Sequence, residues 1–84
     1  RSSDVTLYLR ETKVLSMFPF NHDERPATIY VSEDSVYAVY DDNDEGDVFF
    51  HVDLDDDSVD LSADLTNAFG AEIAVDILTE IGVI

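Results

Sequence analysis

Residues 27–40, ATIYVSEDSVYAVY, decide the fold, because they hold two short alternating stretches joined by two acidic residues. Ile29 and Val31 lie on one face of the first stretch, and the second stretch repeats the pattern. A period of two is typical of a β-strand with one buried face. The sequence therefore predicts strands over 27–32 and 35–40, joined by a tight reversal.

Further strands are predicted on both sides of this hairpin. Before it, residues 4–10 alternate between apolar and polar side chains, and residues 13–18 form a second apolar stretch that Pro19 ends. The polar residues 21–26 contain Asn and Pro, which favour a loop. After it, residues 48–54 alternate again. Consecutive strands joined by short turns predict an antiparallel meander.

The last third of the chain predicts a helix over residues 62–81, which contain no proline. Ser62 is a suitable N-cap. In one continuous helix, Leu65 and Phe69 would lie in the polar stripe of the helical wheel. We therefore expect a break at Gly70, where the helix propensity is lowest.

Together these patterns predict a single α+β domain over residues 1–84, in which a four- or five-stranded meander packs against the C-terminal helical segment. The strands occupy about 4–54 and the helical segment about 62–81. The expected core combines one face of the strands with one face of the helix: Leu7, Leu9, Ile29, Val31, Val36, Ala38, Phe50, Val52, Ile73, Ile77 and Leu78.

Two predicted apolar surfaces are wider than the contact between one small sheet and one helix would bury. The segment after Gly70 is apolar over most of its circumference, and a partner subunit is one expected cover for it. Several aromatic residues occupy strand positions opposite the main apolar stripes, and these are either an exposed interface patch or core under the N-terminal strands. The interface candidates are Tyr30, Tyr37, Phe49, Val75, Leu78 and Ile81.

The charge of the chain is extreme: 20 acidic residues against four basic ones give a net charge of −16. Asp outnumbers Glu 14 to 6, and Lys13 is the only lysine. Like charges on a small sphere destabilise the compact state, and concentrated salt screens them. This composition is typical of proteins from salt-accumulating halophiles, above all archaeal ones, and favours a cytoplasmic protein. Hydrophobic residues make up 45% of the chain, which argues against an acidic disordered tail.

Three function classes follow from this composition. The leading prediction is a non-enzymatic protein-interaction module that binds a protein partner or itself. The second is an inhibitor that mimics nucleic acid on a DNA-binding defence or repair protein, which needs carboxylates gathered on one surface. The third is a small cation- or ligand-binding domain. Direct nucleic-acid binding is not expected, because no basic patch exists to neutralise phosphates.

Metal and catalytic signatures are weak. Asp41, Asn43 and Glu45 occupy the first, third and fifth positions of a calcium loop, but Val52 stands where the loop needs a bidentate Glu. Asp53, Asp55 and Asp57 belong to a dense acidic turn that a hard cation could visit, and a hydrated turn is the simpler interpretation. Without cysteine, and with two distant histidines, structural zinc is not expected. We predict no catalytic residues, no cofactor and no membrane span.

Overall fold

A computed structural model of the chain describes residues 13–42 and 47–83. Four strands precede two helices: β1 (Val14–His22), β2 (Arg25–Ser32), β3 (Ser35–Tyr40), β4 (Val48–Asp53), α1 (Leu61–Phe69) and α2 (Ala71–Ile81). The strands form one antiparallel sheet in the order β1-β2-β3-β4, which confirms the predicted α+β meander. The strand predicted over residues 4–10, with its core candidates Leu7 and Leu9, lies outside the described residues.

The hairpin between β1 and β2 differs from the prediction. The expected loop over 21–26 is wrong, because β1 continues past Pro19 to His22 and β2 begins at Arg25. The turn consists of Asp23 and Glu24 alone, with positive φ angles of 52° and 66°. Two central residues of positive φ form the type I′ turn, whose twist matches that of the flanking strands. Residues 21–26 thus contain the end of β1, a tight turn and the start of β2, which their polarity alone did not indicate.

Pro19 is tolerated within β1 because this strand is an edge of the described sheet. His22 pairs with Arg25 across the tight turn, so every second residue back from His22 directs its backbone groups toward β2. Pro19 pairs with Thr28 at one of the intervening positions. Its nitrogen, which lacks a hydrogen, therefore points away from β2, where no ladder bond to β2 is lost.

The main core lies between one face of the sheet and the two helices. Seven of the predicted core residues are buried, whereas Phe50 and Ile73 are half-buried and pack against them. Leu65 and Phe69 of α1 complete this layer, and Phe69 meets Phe20 and Phe50 in edge-to-face contacts with ring centroids 5.1 and 4.8 Å apart. The buried predicted residues are Ile29, Val31, Val36, Ala38, Val52, Ile77 and Leu78.

The opposite face of the sheet, called here the outer face, is also buried over β3. Tyr37 and Val39 are 0% and 1% exposed and form a second apolar cluster with Tyr30 and Val48. Tyr30 stacks on Tyr37 with ring centroids 5.1 Å apart. Of the two alternatives for the aromatic residues, the burial of Tyr37 favours core.

The helical segment breaks at Gly70, as the positions of Leu65 and Phe69 predicted. Gly70 has φ 95° and ψ 161°, a conformation nearly exclusive to glycine. Its N–H donates to the carbonyl of Thr66, and its own carbonyl accepts from Ala74. One residue thus ends α1 and begins α2, and this corner lets both helices face the sheet.

The ends of the helical segment also have specific caps. Asp60, not the predicted Ser62, caps α1, because its carboxylate accepts from the N–H of Ala63 at 3.2 Å. At the end of α2, Gly82 is left-handed, its N–H donates to the carbonyl of Thr79, and the N–H of Val83 donates to the carbonyl of Leu78. This arrangement is a Schellman motif, which satisfies carbonyls at the helix end.

The wide apolar arc of α2 is covered largely within the chain itself. Ala74, Ile77 and Leu78 are buried between the sheet and α1, and Ile81 is half-buried. Val75 remains 51% exposed. A partner subunit is therefore not required to explain most of that arc.

Candidate functional site

Carboxylates occupy the turns at both ends of the sheet and the outward sides of the helices. All of the described carboxylates are exposed except that of Asp47, which is half-buried. One end of the sheet carries Asp23, Glu24, Asp41, Asp42 and Asp47, and the other carries Glu33, Asp34, Asp53, Asp55, Asp56 and Asp57. The helical layer adds Asp60, Asp64, Glu72, Asp76 and Glu80. Within the described residues, the acids do not form a single ridge.

Arg25 is one of two described basic side chains, and its contacts lie within the chain. It donates two hydrogen bonds of 2.7 Å to the two carboxylate oxygens of Asp42. Its guanidinium carbon also lies 3.6 Å from the ring centroid of Tyr40, a cation–π contact. The hydrogen bonds from Arg25 lower the pKa of Asp42, and the same bonds raise the pKa of Arg25.

An aromatic group stands beside this ion pair at the same end of the sheet. Phe49 stacks on both His22 and Tyr40, with ring centroids 4.6 and 4.4 Å apart. His22 Nδ1 and the Tyr40 hydroxyl are 2.6 Å apart and share a hydrogen bond. These contacts tie β1, β3 and β4 together, so a structural role accounts for the group.

The predicted position of Phe49 on the outer face is wrong. A register shift lies where Val39 pairs with Val48 and Ala38 pairs with Phe50, leaving Phe49 as an extra residue. Such a bulge changes the alternation of the strand. Phe49 consequently packs against the helix-side core and is half-buried.

The calcium-loop candidates receive no support from the described residues. Asn43 and Glu45 lie outside those residues. Asp41 accepts hydrogen bonds from the Thr28 hydroxyl at 2.9 and 3.0 Å, so its carboxylate already has a partner within the sheet. Across residues 13–42 and 47–83, no three potential ligands gather as a metal site would require.

The second acidic candidate is an open depression of about 390 Å³, lined by Asp34, Asp53, Asp55 and Asp56. His51 Nε2 lies 3.4 Å from a carboxylate oxygen of Asp53. The Ser58 hydroxyl, and then its backbone N–H, donate to Asp56 and lower the pKa of that carboxyl. Asp57 lies exposed in the same turn. The contacts between Asp56 and Ser58 are those of an ordinary acidic turn.

The interface candidates divide by burial. Tyr37 and Leu78 are 0% and 6% exposed, so the structure removes them from the set of exposed contact residues. Tyr30, Phe49 and Ile81 are half-buried against the two apolar clusters. Val75 alone of the six has a largely exposed side chain.

Three exposed apolar residues of β1 were missed by the sequence analysis, although a simple signal marks them. Val14, Leu15 and Met17 of β1 are 36%, 48% and 62% exposed, and together they are called here the β1 patch. Between Glu11 and Asp23 the chain carries no acidic residue, and this is the longest such interval in the sequence. In so acidic a chain, a long interval without acids indicates a surface that is kept free of negative charge.

Comparison of the chain with models of known protein families, with curated proteins and with solved structures found no match. Within the described residues, neither helix has the length and apolarity needed to cross a lipid bilayer. What the protein does is therefore inferred from its own surface chemistry.

Proposed function

We propose that this protein is a non-enzymatic protein-interaction module of a halophilic, archaeal organism or its virus, acting in a cytoplasm filled with salt. The observation that carries the proposal is the separation of its surface into two parts. Exposed carboxylates cover the turns and the helices, whereas three of the five exposed large apolar side chains of the described residues lie on β1, which carries no acid.

The acidic part is explained by the solvent. At a net charge of −16, mutual repulsion opposes the folding of so small a chain at low ionic strength. The Debye length falls from about 10 Å at 0.1 M salt to about 3 Å at 1 M, so molar salt removes most of this repulsion. Exposed carboxylates then keep the protein hydrated while adding little unfavourable energy.

The apolar part is explained by binding. Single exposed apolar residues are normal, whereas larger exposed apolar patches mark interaction sites. In an acidic protein such a group is also the place where another macromolecule can approach with least electrostatic cost. The β1 patch thus supplies the contact surface that an interaction module needs.

Nucleic-acid mimicry is less favoured by the same distribution. A mimic must place carboxylates in a row at phosphate-like spacing on one surface. Here the acids divide between opposite ends of the sheet and the helical layer, and Arg25 neutralises Asp42 at one of those ends.

Circular dichroism across a potassium chloride series tests the proposal. We expect native ellipticity to rise from about 50 mM to molar salt, because the required screening occurs over that range. A series in sucrose is the control. Sucrose favours compact states without screening charge, so the comparison separates general stabilisation of the fold from the screening of carboxylates. If the protein is fully native at about 50 mM salt, the acids are not a salt adaptation, and mimicry becomes the better explanation.

A further inference from the structure

We propose that the β1 patch binds a second copy of this chain, with the two β1 strands antiparallel across a two-fold axis. The inference rests on the proposed function, because it identifies the partner of the proposed interaction module. It starts from the three exposed side chains of the patch, Val14, Leu15 and Met17, and from the charges at the two ends of β1.

The patch lies where another molecule can reach it. β1 is an edge of the described sheet, and Met17 pairs with Tyr30 in a cross-strand row on the outer face. The row continues through Tyr37, so the exposed Met17 side chain extends a buried apolar cluster to the edge of the molecule. Covering Met17 would therefore enlarge an existing core.

The charges at the ends of β1 make the strand complementary to itself. Lys13 precedes the strand, and Asp23 and Glu24 follow it, with no acid between them in the chain. An antiparallel pairing of two β1 strands brings Lys13 of each copy toward the turn of Asp23 and Glu24 of the other, because Lys13 and this turn flank opposite ends of the strand. A two-fold axis makes this contact twice, as a symmetric dimer requires.

The same charges argue for a second copy over a basic partner. A basic protein would bind the carboxylates at the ends of the sheet or on the helices, and the β1 patch offers it none. Two copies of a chain with charge −16 can meet closely only where acids are absent. The interval between Glu11 and Asp23 is the longest such place in the sequence.

Pro19 indicates that side chains, not a continuous backbone ladder, make the contact. Its nitrogen faces the outer edge of β1 and cannot donate to a neighbouring strand. Proline at an edge limits open-ended addition of strands. The patch can therefore join two copies through Leu15 and Met17 without promoting a growing sheet.

Disulfide trapping tests the geometry, and the chain suits it because it contains no cysteine. We expect Met17→Cys to form a covalent dimer on mild oxidation in molar salt, since Met17 lies near the middle of β1, where the axis of an antiparallel pair falls. Val75→Cys is the matched control, because Val75 is similarly exposed but lies in the helical layer, whereas Met17 lies in the row of Tyr30 and Tyr37 on the outer face. Cross-linking of both variants to the same extent would overturn the proposal, because random collision would explain it.

Sedimentation equilibrium in molar salt tests the energetics. We expect the wild type to dimerise and the variant Leu15→Ser/Met17→Ser to raise the dimer Kd at least about tenfold. Lys13→Glu should weaken the dimer, and adding Asp23→Lys or Glu24→Lys to that variant should restore it by exchanging the charges across the two-fold axis. Salt weakens the attraction between Lys13 of one copy and the acidic turn of the other. The charge variants are therefore compared at about 1 M salt and at lower concentrations, where this attraction is screened less.

The outcomes separate this inference from the proposed function. A wild type that needs salt to fold but stays monomeric at every protein concentration overturns the dimer and leaves the function intact. A chain that folds at low salt and still dimerises through β1 overturns the salt adaptation alone. A monomeric Met17→Cys variant whose thiol reacts slowly with a thiol reagent would show that the chain itself covers the patch, which also overturns the dimer.

Discussion

Arg25 shows at the scale of one residue why an arginine is retained in a chain with so few cations. Its planar guanidinium binds both oxygens of Asp42 and at the same time covers the ring of Tyr40. Lysine, a compact point charge, cannot do both. The sequence shows Arg25 next to a proline in a polar stretch, and nothing local predicts a partner at Asp42. That contact forms because β2 pairs with β3, and this pairing cannot be predicted from the residues next to Arg25.

The variant Asp42→Asn should change how stability depends on pH. The hydrogen bonds from Arg25 lower the pKa of Asp42 in the folded state. A carboxyl with a lowered folded pKa stabilises the protein above its unfolded pKa, and this contribution is lost as the pH falls through the folded value. We therefore expect the variant to be less stable at neutral pH and to approach the wild type in acid, as measured by urea unfolding at fixed salt.

A double-mutant cycle supplies the control for this prediction. In an Arg25→Leu background, Asp42→Asn should have little further effect, because its hydrogen-bond donor is gone. An equal loss of stability in both backgrounds would show that Asp42 acts through something other than Arg25.

At the scale of elements, the sequence predicted best where side-chain period and backbone chemistry agreed. Leu65 and Phe69 could be buried only if the helix turned at Gly70, and the structure has that corner. The prediction failed at residues 21–26, where a type I′ turn was formed by Asp23 and Glu24 without the usual glycine. It failed also at Phe49, because a bulge in β4 is set by pairing with β3 and not by the strand's own sequence.

Alanine at Gly70 should destabilise the protein more than alanine at Gly82. Neither position has another atom within 4 Å of an added Cβ, so the cost is conformational. Gly82 is in the left-handed region at φ 96°, ψ 16°, where alanine costs about 1 kcal/mol, whereas Gly70 at ψ 161° is in a region nearly closed to other residues and costs up to about 3 kcal/mol.

Urea unfolding at fixed salt measures both costs, because guanidinium chloride would itself screen the charges. Ser62→Ala, at an exposed position within α1, is the control and should be neutral or slightly stabilising. A Gly70→Ala variant as stable as the wild type would mean that α1 and α2 do not need the corner.

The two sides of α2 should respond differently to truncation. Ile77 is 0% exposed between the helices and the sheet, so Ile77→Ala should cost about 2–5 kcal/mol. Val75, on the same helix and 51% exposed, should lose no more than about 0.5 kcal/mol as alanine. Urea midpoints at one salt concentration compare them directly, and similar losses would show that Val75 is buried in an assembly.

At the scale of the whole molecule, the surface combines a distributed property with a local one. The acids act together, because at low salt each carboxylate senses many others across a molecule with a radius of gyration of 12.1 Å. The role that we propose for the β1 patch is local and depends on contact. Composition alone predicts the first, since it needs no coordinates. The second needed the fold, which shows that β1 is an edge and that Leu15 and Met17 remain exposed on it.

Neutralising acids should therefore lower the salt needed for folding, whichever part of the acidic surface is chosen. The variant Glu72→Gln/Asp76→Asn/Glu80→Gln changes the net charge from −16 to −13 (−16 + 3) on α2. Because the repulsion is collective, we expect its folding midpoint in potassium chloride to fall, as measured by circular dichroism.

A second triple variant, Glu33→Gln/Asp55→Asn/Asp57→Asn, removes the same charge at one end of the sheet and should lower the midpoint by a similar amount. Asn67→Gln, at an exposed position of α1, keeps the charge and should leave the midpoint unchanged. Equal shifts from two separate surfaces are what a salt adaptation requires, since screening does not depend on which carboxylate is removed. A large shift from one triple variant and none from the other would instead locate a particular carboxylate cluster that a partner or a cation must neutralise, and the acids would then be part of a binding site.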